Sequence, residues 1–319
     1  MDDSGPSLLA DIGGTHTRFA LSAGVGQLQS IEIVRTGDFD GVEQAIADYL
    51  KHADPSRPPR GAVLAVAGPV IANRSRLTNA DWDIDGAAVA GAFALEKVRL
   101  VNDFAAVARC LPLLDDDALT AVGGWAPDPR GAMVAIGPGT GLGVAGLVPH
   151  GTDGWLAVPG EGGHVTLPAM SDAEGAVLAV LRRRVDHVSA ERVLSGIGLP
   201  ALDAAVAIVE GEPPRADREP EAVLAAAHAG EARARRAVGM FIDLLATVAG
   251  DLALTFGATG GVYLAGGMPH YLGDLFDQDR FRARFEAKGR SSVYLRRIPT
   301  AIVSHPQPGL LGLSALAVE

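Results

Sequence analysis

An Asn-Asp pair follows directly after an apolar segment in the first third of the chain. Residues 98–101 predict a buried strand, and Asn102 and Asp103 come at its carboxyl end. In open α/β sheets, ligands bind beside that end of the strands. An aspartate held there, ahead of an apolar helix over residues 104–110, suits a general base that accepts a proton from an alcohol. The alternative is that Asp103 only caps the helix, because aspartate is a favoured N-cap residue.

Two glycine-rich segments lie between predicted strands. Residues 11–15 (Asp-Ile-Gly-Gly-Thr) separate strands predicted at 8–12 and 18–22, and residues 137–143 separate strands predicted at 133–136 and 144–148. Backbone N–H groups of such turns can converge on an anion, and an aspartate beside them can hold Mg²⁺ or its waters. Neither segment has the lysine of a P-loop. One such turn alone is equally consistent with a plain tight turn, whereas two indicate that phosphates are bound.

Three further side chains could bind a polyhydroxylated ligand. Glu161 and His164 lie among glycines in residues 160–164, and Glu191 falls in the first turn of a helix predicted to begin after Ser189. A catalytic dyad or a metal site is the alternative for the first two. Metal binding at that spacing normally uses a helix face, which the glycines disfavour. For Glu191, interaction with the helix dipole is the simpler interpretation.

The first 110 residues predict the order β-β-β-α-β-α-β-α, which is an α/β lobe. Asp40 and Glu43 form a capping-box pattern before a helix whose apolar residues recur from 42 to 50. The remaining predictions for this lobe are strands at 31–34 and 62–67, a polar loop through residues 79–82, and a helix at 86–95.

The later part of the chain predicts more helix than strand. Residues 115–129 are rich in turn formers and predict a linker between lobes, and residues 211–220 predict an exposed loop. The expected strands are at 155–158, 262–265 and 301–303. The expected helices are at 172–185, at 222–256 with a break near Gly230, and at 309–317.

Composition excludes several classes of protein. The chain has 319 residues with a formal charge of −11, which argues against nucleic-acid binding or attachment to an anionic membrane. Cys110 is the single cysteine, so an intramolecular disulfide and a cysteine-rich zinc site are excluded. The acidic residues 1–3 are unlike a signal peptide, and no long apolar run free of charge is evident. We therefore expect a cytoplasmic protein.

In combination, these segments resemble the bacterial glucokinase family. The resemblance implies the two-lobed ribonuclease-H-like (actin-like ATPase) fold, with a cleft between a small α/β lobe and a larger α+β lobe. The lobes would be residues 1–112 with 303–319, and residues 113–302; a homodimer is also implied. The resemblance is carried by residues 9–20, 65–81, 101–104, 137–143, 159–165, 189–198, 260–267, 281–289 and 308–312.

The same resemblance implies roles for individual residues. Asp103 would be the base for the 6-hydroxyl of D-glucose, and ATP with Mg²⁺ would be the phosphoryl donor. The implied sugar ligands are Asn102, Asp103, Glu161, His164 and Glu191. The implied nucleotide ligands are Ala10, Asp11, Ile12, Gly13, Gly14, Thr15, Gly139, Thr140, Gly141, Gly266 and Gly267, with Asp11 also a metal ligand through water.

Some alternatives stay open at this point. Pro138 removes one N–H donor and could weaken the second turn's grip on an anion. A kinase for another hexose would share most of these residues, and a non-catalytic sugar sensor is the alternative from another class. A related group of bacterial sugar kinases and repressors carries a three-cysteine zinc motif, which a chain with one cysteine cannot supply.

Overall fold

The computed structural model of the chain describes residues 5–77, 80–213 and 218–319. Predictions at residues 1–3, at Asn79 and at residues 214–217 lie outside the described residues. The chain divides into two compact units, Met1–Asp115 with Trp155–Pro159 and His305–Glu319, and Asp116–Gly154 with Gly160–Ser304. The sequence-based division placed both boundaries slightly earlier, after residues 112 and 302.

Most strands lie in the first half of the chain, and most helices lie in the second half. The strands are β1 (Ser7–Ile12), β2 (His16–Ser22), β3 (Leu28–Arg35), β4 (Gly61–Val66), β5 (Arg74–Leu77), β6 (Trp82–Asp85), β7 (Lys97–Asn102), β8 (Leu119–Gly123), β9 (Met133–Pro138), β10 (Leu142–His150), β11 (Gly154–Gly160), β12 (Gly261–Leu264) and β13 (Thr300–Val303). The helices are α1 (Val42–Ala53), α2 (Gly86–Phe93), α3 (Asp103–Cys110), α4 (Asp172–Leu181), α5 (Gly198–Val209), α6 (Pro220–His228), α7 (Ala232–Phe256), α8 (Met268–Leu272), α9 (Gln278–Glu286), α10 (Ser292–Arg297) and α11 (Pro308–Leu316).

The first unit is built on a sheet with the strand order β3-β2-β1-β4-β7. β1, β4 and β7 run parallel, and β2 and β3 are antiparallel to their neighbours. Successive residues of β1 face opposite sides, so Leu8 and Leu9 are both fully buried but belong to different cores. Ile46 of α1 packs on the first side, and Leu310 of α11 packs on the second. Both faces of the parallel strands are therefore covered, which explains why their sequences are nearly continuous apolar runs.

Two local predictions for the first unit are wrong. Asp40 does not cap α1; the N-cap is Gly41, without a side-chain hydrogen bond, and Gln44 Oε1 instead accepts the N–H of Asp40 at 2.6 Å. The predicted polar loop around residue 80 borders the antiparallel hairpin of β5 and β6. There, Leu77 and Trp82 are buried, because alternate residues of this short hairpin face the core.

In the second unit, five strands form a sheet in the order β10-β9-β12-β13-β8. β8 corrects the prediction of a linker at 115–129, because it pairs antiparallel with β13 as an edge strand. α7 lies at the centre of the largest core, with Phe241 and Leu245 fully buried. By length and composition α7 could cross a membrane, which the sequence analysis did not anticipate. However, 78% of its most apolar window is buried within the structure, as expected for a core helix.

One helix of the second unit begins later than predicted. Residues 190–197 form turns instead of a helix after Ser189, and α5 begins at Gly198. The backbone N–H of Gly196 donates to the carbonyl of Gly139 at 2.7 Å, so a bond to a distant loop replaces a helical one. α8, α9 and α10 were not predicted from the sequence.

Candidate active site

The parallel strands of the first unit end in register. Ile12 of β1 is the register partner of Val66 in β4, and Val66 is the partner of Asn102 in β7. The carboxyl ends of the three strands therefore meet at one edge of the sheet. The glycine turn after Ile12 and the Asn-Asp pair after β7 lie there together, roughly 10 Å apart by two strand spacings.

The turn between β1 and β2 is held in shape by hydrogen bonds. The N–H of Gly13 donates to the carbonyl of His16 at 3.0 Å. Thr36, the residue after β3, makes two of these bonds. Its N–H donates to the carbonyl of Thr15 at 3.0 Å, and its hydroxyl donates to the carbonyl of Gly13 at 2.7 Å. The Thr36 hydroxyl also shares a buried 3.0 Å hydrogen bond with that of Thr17. These bonds fix the turn, whose Gly14 and Thr15 remain at least partly exposed to a ligand.

Asp11 lies beside this turn and against the start of α11. A Cβ atom placed on Gly309 would lie 2.7 Å from Asp11 Oδ2, so only glycine admits the carboxylate there. Burial raises the pKa of the Asp11 carboxyl, and the Arg18 guanidinium, 3.8 Å away, opposes the shift. A carboxylate that is costly to ionise gains from a nearby cation, which fits a magnesium ligand. Over residues 5–77, 80–213 and 218–319, no group of three or more His, Cys, Asp or Glu could hold a metal.

Asn102 and Asp103 divide two tasks between them. Asn102 is the N-cap of α3, because its Oδ1 accepts the N–H of Ala105 at 3.0 Å. Its Nδ2 donates to Asp103 Oδ1 at 3.1 Å and to Gly68 O at 3.3 Å. Asp103 Oδ1 also accepts the N–H of Phe104 at 2.8 Å. The capping role considered for Asp103 thus belongs to Asn102, and the Asp103 carboxylate is fixed in direction.

The second glycine turn, residues 139–141, joins β9 to β10. The N–H of Gly139 donates to Gly141 O at 2.8 Å within the turn. Pro138, the last residue of β9, packs its carbonyl against Gly266, where a Cβ would lie 2.3 Å away. A Cβ on the neighbouring Gly267 would lie 3.1 Å from the Tyr271 ring. Gly266 therefore lies close to the end of β9, beside the second turn, and the effect of Pro138 on anion binding stays a prediction.

The structure brings Glu161, His164 and Glu191 together in the second unit. His164 Nε2 lies 3.8 Å from Glu161 Oε2, and His164 Nδ1 lies 3.9 Å from Glu191 Oε1. A Cβ on Gly163 would lie 2.1 Å from Leu142 O, so this loop packs directly on the backbone of β10. Two carboxylates flanking an imidazole can accept from and donate to several hydroxyl groups.

Sequence reasoning missed three residues that hold parts of this site in place by hydrogen bonds. Gly68 accepts from Asn102, Thr36 holds the first turn, and Gly196 donates to the second turn. Gly68 could have been found, because it follows a strand predicted to end at the same edge. No local pattern marks Thr36 or Gly196, whose partners are distant in sequence.

Comparisons with known proteins identify the family of this chain. The family model for glucokinase matches residues 8–319. The bifunctional protein glk of Burkholderia pseudomallei (strain 1710b) is 41% identical over 315 residues, which is 99% of this chain and 49% of that protein. The chain therefore spans about half the length of that relative. The glucokinase of Paramagnetospirillum magneticum is 41% identical over 313 residues, covering 98% of this chain and 97% of that protein.

A solved structure supports the same relationship. The crystal structure of glucokinase from an Antarctic psychrotroph superposes with a TM-score of 0.86 at 34% identity, covering 98% of each chain. The chain belongs to the glucokinase family and has the ribonuclease-H-like fold of actin-related ATPases and sugar kinases.

Proposed function

We propose that this chain is a glucokinase, which transfers the γ-phosphoryl group of ATP to the 6-hydroxyl of D-glucose and releases ADP. The observation that carries the proposal is the register of Ile12, Val66 and Asn102, which puts the first glycine turn and Asp103 at one sheet edge. Two strand spacings, roughly 10 Å, leave room for a terminal phosphate and a primary alcohol between them.

Asp103 is the proposed general base. Its Oδ1 is held by the N–H groups of Phe104 and Asn102, so the carboxylate is oriented before the alcohol arrives. General bases contribute about 10²–10⁴ in rate. Phosphoryl transfer has a loose transition state, so positioning of the alcohol matters more than removal of its proton.

The proposed sugar ligands, as the family resemblance implies, are Asn102, Asp103, Glu161, His164 and Glu191. Carboxylates accept hydrogen bonds from vicinal hydroxyls, and an epimer that misplaces one hydroxyl leaves a carboxylate unpaired. The relatives' names support D-glucose as the hexose that these ligands bind.

The first turn, residues 10–15, and the second turn, residues 139–141, are the proposed phosphate ligands, with Gly266 and Gly267 at the adenosine end. Asp11 is the proposed protein ligand of Mg²⁺, directly or through water, and the phosphate oxygens would complete the coordination. When bound, Mg²⁺ would neutralise charge on the β- and γ-phosphates. A homodimer in the cytoplasm is proposed on the family resemblance alone.

A coupled ADP-release assay with a panel of sugars tests the proposal. With MgATP, we expect D-glucose to give the highest kcat/KM and mannose or N-acetylated hexoses to give much lower values. Higher kcat/KM for another hexose would reassign the substrate. Glucose binding measured by calorimetry without ADP release would instead identify a sugar sensor.

A further inference from the structure

The carboxylate of Glu191 contacts two loops that the proposed function assigns to different substrates. Its Oε2 accepts the N–H of Leu142 at 2.9 Å, at the end of the second glycine turn. Its Oε1 lies 3.9 Å from Nδ1 of His164. The backbone N–H of Glu191 donates to Gly163 O at 2.8 Å, so the residue is also tied to the Glu161–His164 loop. A single residue thus connects the proposed phosphate turn with the proposed sugar loop.

The second turn is shaped around this carboxylate. A Cβ on Gly141 would lie 2.5 Å from Glu191 Oε2, so a side chain at that position would push the carboxylate away from the turn. The turn's other described bonds, Gly139 N–H to Gly141 O and Gly196 N–H to Gly139 O, join backbone to backbone. Neither of them ends on a proposed sugar ligand. Among these bonds, the one from Leu142 to Glu191 is the link through which a bound sugar can act on the turn.

We infer that Glu191 is a positioning residue that couples sugar binding to nucleotide binding; this inference rests on the proposed function. The Glu191 side chain is 34% exposed, so its carboxylate can rotate toward water while the sugar site is empty. Sugar hydroxyls that bind Oε1 restrict that rotation and keep Oε2 on the N–H of Leu142. The turn is then held in one conformation before the phosphates bind, which raises nucleotide affinity. By linkage, the nucleotide raises sugar affinity by the same factor.

Glu161 provides a matched control. Its carboxylate lies 3.8 Å from His164 Nε2, nearly the same distance as that of Glu191, and its side chain is 55% exposed. Within the part of the chain that the structure describes, no hydrogen bond joins the Glu161 side chain to the second turn. Loss of Glu161 should therefore weaken sugar binding without uncoupling the two substrates.

The test is calorimetric titration of the full chain with the magnesium complex of AMP-PNP, without glucose and with glucose well above each variant's own Kd. For the wild type, we expect glucose to lower the analogue's Kd by about fivefold or more, the lower end of common coupling factors. For Glu191→Ala, the ratio of the two Kd values should fall to near one. For Glu161→Ala, the ratio should stay at the wild-type value although the glucose Kd rises.

A second variant keeps the test valid if Glu191→Ala does not fold. Glu191→Gln keeps the side chain's size but replaces one of the two acceptor oxygens with an NH2 donor, so it no longer presents one oxygen to Leu142 and the other to a sugar hydroxyl. It should also lower the ratio. A wild-type ratio retained in the Glu191 variants, or lost equally in Glu161→Ala, would overturn the coupling role. If the coupling role fails in this way but glucose is still phosphorylated, the proposed function stands. If the wild type neither binds glucose nor releases ADP, the proposed function itself is refuted.

Discussion

The side-chain amide of Asn102 donates to Oδ1 of Asp103 at 3.1 Å, while its carbonyl oxygen accepts the N–H of Ala105 at 3.0 Å. The residue that caps α3 and the residue proposed as the base are therefore neighbours with separate tasks. Substitutions at the two positions should accordingly separate the stability of the protein from its chemistry.

Replacement of the base should lower turnover more than it lowers glucose affinity. For Asp103→Asn we expect kcat to fall by about 10²–10⁴, because the amide cannot accept the alcohol's proton. The amide oxygen can still accept the N–H of Phe104, so the melting temperature should stay close to that of the wild type. Steady-state kinetics and thermal unfolding measure both effects, and an unchanged kcat would refute the base assignment.

Replacement of the cap should act on stability as well. For Asn102→Ala we expect a loss of about 0.5–2 kcal/mol in the free energy of unfolding, since α3 loses its N-cap. Asn102→Ser should recover most of that loss, because serine also caps helices. Neither variant keeps the amide that donates to Gly68 and Asp103, so both should raise the glucose KM. Equal stability of the alanine and serine variants in urea unfolding would contradict the capping role.

Much of the first unit could be predicted from the sequence because its strands are buried on both faces. Residues 62–67 and 98–101 are short apolar runs bounded by turn formers, and they correspond to β4 and β7. Contacts between residues distant in sequence could not be predicted in this way. The carboxylate of Glu191 and the N–H of Leu142 are 49 positions apart, and no local pattern links them.

The site could be predicted in its parts but not in its connections. Glycine spacing located both turns, since strand–glycine–strand patterns are local. The contact of Asp11 with Gly309 depends on where α11 packs, which periodicity cannot tell. The start of α5 was missed for a related reason, because the N–H of Gly196 bonds to Gly139 and not within a helix.

Replacement of Asp11 should weaken MgATP binding and raise the stability of the protein at neutral pH. For Asp11→Asn we expect a higher KM for MgATP, because the ion loses a charged ligand. Without ligands the variant should be more stable than the wild type at neutral pH. Burial raises the pKa of Asp11, so the folded state binds its proton more tightly than the unfolded chain does. Wild-type stability therefore falls as pH rises from the ordinary aspartate value through the raised one, and asparagine removes that cost.

Thermal unfolding of both proteins from acid to neutral pH checks this sign. The two melting temperatures should converge at pH values below the ordinary aspartate pKa of 3.8 and separate above it. The Arg18 guanidinium opposes the rise in the pKa of Asp11. Arg18→Gln in the wild-type background should therefore lower the melting temperature at neutral pH and widen its difference from that of Asp11→Asn. A variant that is less stable than the wild type at neutral pH would show that the carboxylate, ionised at the start of α11, stabilises the fold.

Two glycines in the sugar loop should respond differently to alanine. The Cβ of Gly163→Ala would lie 2.1 Å from Leu142 O, so the loop must move away from β10 and carry Glu161 and His164 with it. A Cβ on Gly160 would meet nothing within 4 Å. We expect Gly163→Ala to raise the glucose KM by at least about tenfold and to cost about 1–3 kcal/mol in stability, the usual range for overpacking. Gly160→Ala should match the wild type in both glucose KM and urea midpoint. Because both changes add one methyl group to the same loop, a similar rise in KM for both would mean that loop flexibility, and not the contact with β10, sets the position of the sugar ligands.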